Sequence, residues 1–98
     1  MKVVIKKVNE NPVLTYINGD LKEMQEIVGG YIETFPVYDN ILCVCNENGK
    51  LMGLRPNFKF GFDTIVGNVF FVAAGYEDFE SLSDKQATAI IETFTNLK

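Results

Sequence analysis

The sequence predicts an α+β domain: a mainly antiparallel sheet with a short helix in its N-terminal half and a C-terminal helix packed on one face. Three observations predict this class. Short segments rich in β-branched and aromatic residues alternate with Asn, Gly and Pro turn clusters at hairpin spacing. Two segments, Asp20–Val28 and the stretch after Ser83, place apolar residues at helical spacing. The length of 98 residues suits one domain, which we assign to residues 1–98.

The first quarter of the chain is predicted as two strands and a helix. Lys2–Val8 is dense in β-branched residues, and Val13–Ile17 returns after a turn cluster as a second, shorter strand. The helix Asp20–Val28 begins at an aspartate N-cap, with Glu23 at the capping-box position. Gly29 supplies the C-terminal stop, so this helix has about two turns.

The middle of the chain is predicted as three strands. Tyr31–Tyr38 contains Pro36, which places part of this strand at a sheet edge or a bulge. Ile41–Cys45 is apolar on both faces, which indicates a central strand. The turn at residues 46–49 then predicts Lys50–Leu54 as a hairpin partner.

The last part is predicted as an ordered loop, a strand and a helix. Arg55–Asp63 combines Pro and Gly with three Phe, which favours a loop, and Thr64–Ala74 is a strand broken at Gly67. Ser83 caps the final helix with Gln86 at the capping-box position. Its apolar stripe consists of Ala87, Ile90, Ile91, Phe94 and Leu97. We expect both helices to cover the same face of the sheet.

Composition excludes several classes of function. Nine Lys and Arg against thirteen Asp and Glu give a net charge of −4, so we expect no direct nucleic-acid binding. Residues 1–8 are too short and too charged for a signal peptide, and no apolar run could span a membrane, which predicts a cytoplasmic protein. The chain has no His, which removes the usual general base and disfavours an enzyme.

The two cysteines are predicted to be small buried hydrophobes. Cys43 and Cys45 would point to one face of a strand, with Cα atoms roughly 6.5–7 Å apart, at or beyond comfortable disulfide reach. A zinc site would need two further ligands, and no His exists to supply them. We therefore expect no metal and no cofactor.

Acidic residues offer two weaker candidates. Glu33 is an acid in an otherwise apolar strand, where an edge or solvent-facing position would explain it. A cluster precedes the last helix and consists of Glu77, Asp78, Glu80 and Asp84. Helix capping and solubility account for this cluster, while a carboxylate metal site or an acidic mimic of DNA are the alternatives.

The segment Arg55–Asp63 is the most suggestive part of the chain for binding. It holds the single Arg, followed by Asn57, Lys59 and aromatic residues. A guanidinium group, aromatic faces and an amide suit an anionic planar ligand such as a nucleotide. The alternative is a loop held by core Phe side chains, with Arg55 in a surface salt bridge.

Several segments in linear order carry a family resemblance. They comprise Leu21, Gln25–Glu33, Cys45–Leu51, Gly53, Leu54, Asn57, Asp63–Asn68 and Asp78–Leu82. In this order they resemble domain of unknown function 3846, a family of small proteins from phages, plasmids and Gram-positive bacteria. The resemblance implies an origin in a phage or mobile element, and it supplies no established activity. It also draws attention to the polar positions Glu33, Asn46, Glu47, Asn57 and Asp63.

Together these observations predict a non-enzymatic accessory protein of a phage or mobile element, with a counter-defence role. It would bind a host protein or a small anionic, nucleotide-like ligand. The ligand-binding candidates are Arg55, Asn57, Lys59, Asp63 and Glu33. Blocking of a host protein through a strand edge, and a homodimer formed by strand pairing, stay open. The rival functions are a small enzyme that uses Glu33 or Asp63, and an acidic DNA-mimic inhibitor.

Overall fold

The computed structural model describes residues 1–97 and confirms the α+β class with an antiparallel sheet. Within these residues the chain forms eight strands and two helices. In chain order they are β1 (Lys2–Lys6), β2 (Val13–Tyr16), α1 (Leu21–Val28), β3 (Ile32–Tyr38), β4 (Ile41–Asn46), β5 (Pro56–Phe60), β6 (Asp63–Val66), β7 (Val69–Ala74), β8 (Phe79–Glu80) and α2 (Asp84–Phe94). In the part of the chain so described, no helix has the length and apolar character that crossing a membrane requires.

The main sheet has the strand order β2-β1-β7-β4-β3, with β8 added alongside β7. Every pairing in it is antiparallel. The predicted central position of β4 is confirmed, because it pairs with β3 on one side and β7 on the other. β3 is an edge strand, and its register shifts between Pro36 and Tyr38, as a proline in a strand requires. Strands β5 and β6 form a separate two-stranded sheet.

The helices cover opposite faces of the sheet, so the expectation that both lie on one face is wrong. Phe70 and Phe71 are neighbours in β7, point to opposite faces and belong to separate core clusters. Met24 of α1 packs in the cluster of Phe70, whereas Ile90 of α2 packs in the cluster of Phe71. The central strands are apolar on both faces, and burying both requires a cover on each side.

The prediction that Arg55–Asp63 is a loop is wrong. Most of this segment is strand β5, which pairs with β6 in a β-hairpin. Phe58 of β5 is buried against the α2 face, with its ring centroid 6.3 Å from that of Phe71 and 4.8 Å from that of Phe94. A turn at Gly61, whose φ is 63°, joins β5 to β6. Long-range packing of Phe58 therefore outweighs the local Pro and Gly signals that favour a loop.

The predicted strand Lys50–Leu54 is instead a series of turns. The Leu54 amide donates to the Gly49 carbonyl at 3.0 Å, and the Met52 amide donates to the Asn48 carbonyl at 2.9 Å. These local bonds use the backbone groups that a strand would offer to a neighbour. The segment therefore connects β4 to β5 without joining either sheet.

Both predicted helix starts are confirmed. Asp20 accepts from the Glu23 amide at 2.8 Å, and Ser83 and Gln86 form a complete capping box at the start of α2. The end of α2 differs from the prediction, because the helix stops at Phe94 and Thr95 is extended. Leu97 thus lies beyond the apolar stripe that it was assigned to, and its side chain is 42% exposed.

Candidate functional site

The five predicted ligand residues separate into two neighbouring clefts beside the β5–β6 hairpin. Arg55, Asn57 and Lys59 line one, which we call the basic cleft. Glu33 and Asp63 line the other, which we call the acidic cleft. The two clefts share Thr64 of β6. Residues close together in the chain are divided in this way because successive side chains of a strand point to opposite sides.

The basic cleft has a volume of about 710 Å³ and carries positive charge. Its lining consists of Val8, Asn9, Arg55, Pro56, Asn57, Phe58, Lys59, Thr64, Asn96 and Leu97. These described lining residues include two cations and no carboxylate. Among residues 1–97, direct ion pairs join Lys2 to Asp84 and Lys50 to Asp63, and Arg55 forms none with these described residues. Arg55 and Lys59 are both exposed to solvent.

Asn57 forms the base of the basic cleft and is occupied by internal hydrogen bonds. Only 3% of the residue is exposed. Nδ2 donates to the carbonyls of Lys6 at 2.9 Å and Gly67 at 2.8 Å, and Oδ1 accepts from the Lys6 ammonium at 2.8 Å. We therefore assign Asn57 a positioning role, since it fastens the hairpin to β1.

Lys6 is a component of this region that the sequence analysis missed. Its side chain is fully buried, and its ammonium also donates to the Lys7 carbonyl at 3.2 Å. Two residues earlier, Val4 is buried on the α2 side of the sheet. Strand alternation from Val4 would have placed Lys6 on the same inward side.

The acidic cleft has a volume of about 450 Å³ and lies between the β3–β4 pair and the hairpin. Its charged lining residues are Glu33, Glu47, Asp63 and Lys50. Glu33 stands on the edge strand β3 directly opposite Cys45 of β4, and it is exposed as the sequence indicated. The Lys50 ammonium forms an ion pair with Asp63.

Cys45 lies at the base of the acidic cleft as an inert thiol. Its Sγ donates to Glu33 Oε1 at 3.8 Å. Burial, and then the negative charges of Glu33 and Asp63 together with the hydrogen bond to Glu33, raise the pKa of this thiol to about 11. Burial also raises the pKa of Cys43, with a smaller effect from Cys45. The prediction of two buried free cysteines is confirmed, and neither is a nucleophile at neutral pH.

Asp63 is held in its charged form. The hydrogen bond from the Lys50 ammonium is the main cause that lowers the pKa of this carboxyl, and desolvation opposes it. The charge of Lys50 and the Thr64 amide, which donates at 2.9 Å, lower the pKa further. A carboxyl whose pKa is lowered is a poor proton donor at neutral pH. Asp63 therefore carries a negative charge in the acidic cleft at neutral pH.

Apolar side chains border the acidic cleft. The rings of Phe35 and Phe60 lie with centroids 5.5 Å apart, and both line the cleft. Leu51 of the β4–β5 connection also lines it and is 90% exposed. Phe62, at the hairpin tip next to Asp63, is fully exposed. The sequence pattern predicts one loop that contains Phe58, Phe60 and Phe62, and it does not distinguish the buried Phe58 from the exposed Phe62.

The acidic cluster before α2 is exposed and partly engaged in local contacts. Asp84 forms an ion pair with Lys2, and Asp78 accepts from the Phe79 amide at 2.8 Å. Within residues 1–97, no three Cys, Asp or Glu side chains are arranged to hold a metal ion. These contacts explain two of the four acids by structure alone.

The end of α1 and the turn after β4 meet at Asn46. Its Nδ2 donates to the Val28 carbonyl at 3.1 Å, and its Oδ1 accepts from the Asn48 amide at 2.8 Å. A Cβ on Gly30 would lie 2.8 Å from Asn46 Nδ2, so the close approach requires glycine there. The end of α1 and the turn after β4 are joined by this one buried amide, which gives Asn46 a structural role.

Comparison with known proteins identifies a family. No curated protein and no solved structure matches the chain. A family model described as "Domain of unknown function (DUF3846)" matches residues 1–95. The match confirms the resemblance and extends it over the N-terminal strands and α2. The chain of 98 residues therefore belongs to the DUF3846 family.

Proposed function

We propose that this chain is a non-enzymatic, cytoplasmic binding protein whose basic cleft takes a small anionic, nucleotide-like ligand. The observation that carries the proposal is the charge of the cleft: Arg55 and Lys59 line it, and its described lining includes no carboxylate. The whole chain has a net charge of −4, so this cleft is a local reversal of sign. Such a reversal concentrates anions at one place on the surface.

The two cations suit a phosphate group. The planar guanidinium of Arg55 can donate two parallel hydrogen bonds to phosphate oxygens, and Lys59 adds a point charge. The Arg55 carbonyl accepts from the Gly67 amide at 2.8 Å, which fixes the backbone from which the guanidinium extends. Pro56, Val8 and Leu97 offer apolar surface to the planar part of a nucleotide.

The family resemblance supports placing the protein among accessory proteins of phages and mobile elements. In that setting a protein that sequesters a nucleotide would serve counter-defence. The inert cysteines support a binding role over nucleophilic catalysis by a thiol.

Titration calorimetry with pyrophosphate, AMP and ATP tests the proposal. We expect saturable heat with at least one of them, and about tenfold weaker binding in Arg55→Ala or Lys59→Ala, as the loss of one charge-assisted contact predicts. Lys85→Ala on α2 is the control, because it removes the same charge outside the cleft. Absence of heat and of any melting shift with all three compounds would refute the proposal.

A further inference from the structure

Solvent-exposed apolar side chains border the acidic cleft. Leu51 is 90% exposed, Phe62 is fully exposed, and Phe60 is 37% exposed. Leu51 and Phe60 line the cleft, and Phe62 follows Phe60 across the hairpin tip. Exposed apolar residues grouped at a concave site are typical of a surface that binds a partner.

The charge inside the cleft determines the chemistry of that partner. Three carboxylates, those of Glu33, Glu47 and Asp63, line the cleft against one ammonium, that of Lys50. Since Lys50 is paired with Asp63, Glu33 and Glu47 dominate the remaining field. A positively charged group is the electrostatic complement of this interior.

The aromatic rings that line the acidic cleft also favour a positively charged group. Phe35 and Phe60 lie 5.5 Å apart with ring planes inclined by 48°, and both rings line the cleft. A guanidinium or ammonium group is attracted to an aromatic face and to carboxylates at once. Arginine satisfies both because it stacks on a ring while it donates to a carboxylate.

We propose that the acidic cleft is a docking site for a basic segment of a partner protein, with one Arg or Lys side chain among the carboxylates of Glu33, Glu47 and Asp63. Apolar residues beside that basic residue would cover Leu51 and Phe62. A free small cation would fill the interior and leave these two side chains in water. A second copy of the chain is disfavoured as the occupant, because each copy carries a net charge of −4.

This inference does not rest on the proposed function, because the two clefts carry opposite charge and have different charged residues. A protein partner at the acidic cleft and an anion at the basic cleft are separate events. Glu33→Gln should therefore leave nucleotide titrations unchanged, and Arg55→Ala should leave peptide binding unchanged. Failure of either proposal is visible without reference to the other.

Fluorescence anisotropy with a labelled peptide, Gly-Ser-Leu-Arg-Leu-Ser-Gly, tests the inference on the full chain. A matched peptide carries citrulline, a neutral isostere, in place of Arg. We expect the Arg peptide to bind at least about tenfold more tightly and to weaken as salt is added, since charge complementarity drives the difference. Equal affinity of the two peptides, or agmatine alone binding as tightly as the Arg peptide, would overturn the proposal.

Variants assign the binding to this cleft. Glu33→Gln should weaken the Arg peptide about tenfold, and Phe62→Ala should weaken it severalfold. Lys50→Met should tighten binding of the Arg peptide, because the variant removes the competing ammonium. Structural damage would not produce this effect.

Glu77→Gln is the charge-matched control. Glu77 is exposed and lies near Ala74, whose amide donates to the Asn40 carbonyl in the turn between β3 and β4, at the end of this strand pair that is far from Glu33. Unchanged affinity in both Glu33→Gln and Lys50→Met would exclude the acidic cleft as the binding site.

Discussion

The side chain of Asn57 and the residue Lys6 form a reciprocal pair inside the protein. The amide Oδ1 accepts from the Lys6 ammonium at 2.8 Å, and the amide Nδ2 donates to the Lys6 carbonyl at 2.9 Å. Asn57 of the hairpin thereby provides a hydrogen-bond partner to the buried ammonium of Lys6 and to a backbone carbonyl of β1. The pair fixes the hairpin on the sheet, and the hairpin lines both clefts.

Asn57→Ala should lower the free energy of unfolding by about 3 kcal/mol, because it removes one acceptor from a buried ammonium and two donors from buried carbonyls. Urea denaturation followed by circular dichroism measures this loss. Asn48→Ala is the matched control, since Asn48 is exposed and should change stability by less than about 0.5 kcal/mol. A loss below about 1 kcal/mol in Asn57→Ala would show that the pair does not hold the hairpin.

The Cys45 thiol should make the protein less stable in alkaline solution. Its pKa is about 11 in the folded chain and 9.0 as the ordinary value, so the folded state retains the proton more strongly. The resulting stabilisation is complete below about pH 9 and is lost as the pH rises through about 11. Unfolding free energies measured across this range should fall less steeply in Cys45→Ala than in the wild type.

A second measurement isolates the cause. In a Cys43→Ala background, the Cβ chemical shift of Cys45, followed by NMR through the alkaline range, reports this thiol alone. Glu33→Gln should lower the pKa of Cys45, because it removes a negative charge that accepts the thiol hydrogen bond. Burial should keep that pKa above its ordinary value, since burial is the largest cause of the shift. An unchanged pKa in Glu33→Gln would show that the carboxylate does not act on the thiol.

The sheet was predictable where local pattern and tertiary packing agree. The two-sided apolar run Ile41–Cys45 indicated a central strand, and it pairs on both sides. A strand that is apolar on both faces also implies that other elements pack on each face of the sheet. The expectation that both helices lie on one face did not take this into account. The β5–β6 hairpin was not predictable from local signals, since its first strand depends on Phe58 packing against Phe94, far along the chain.

The sequence indicated which segment of the chain lines the candidate site, but it did not indicate how the side chains are divided between two clefts. Lys59 and Asp63 are close in sequence, and one ligand site was expected to use both. In the hairpin they line different clefts, so charges of opposite sign are separated. The contribution of Glu47 and Leu51 to the acidic cleft required the turns after β4, where the sequence had indicated a strand.

The Lys50–Asp63 ion pair at the mouth of the acidic cleft gives the last prediction. Lys50 is the largest cause that lowers the pKa of the Asp63 carboxyl below 3.8, so Lys50→Met should raise that pKa. The rise should bring the pKa to its ordinary value or above it, because desolvation outweighs the hydrogen bond that the Thr64 amide still donates to Asp63 Oδ1. Carboxyl carbon chemical shifts followed by NMR through the acid range measure it directly.

Lys2→Met is the control for this titration. Lys2 lowers the pKa of Asp84, so its removal should raise the pKa of Asp84 and leave that of Asp63 in place. Stabilisation by each ion pair is present above the ordinary pKa of 3.8 and is lost as the pH falls through the lowered value. If Lys50→Met leaves the Asp63 titration unchanged, Lys50 does not neutralise that carboxylate. The acidic cleft would then already present all three of its carboxylates to a basic partner, and Lys50→Met would not tighten peptide binding.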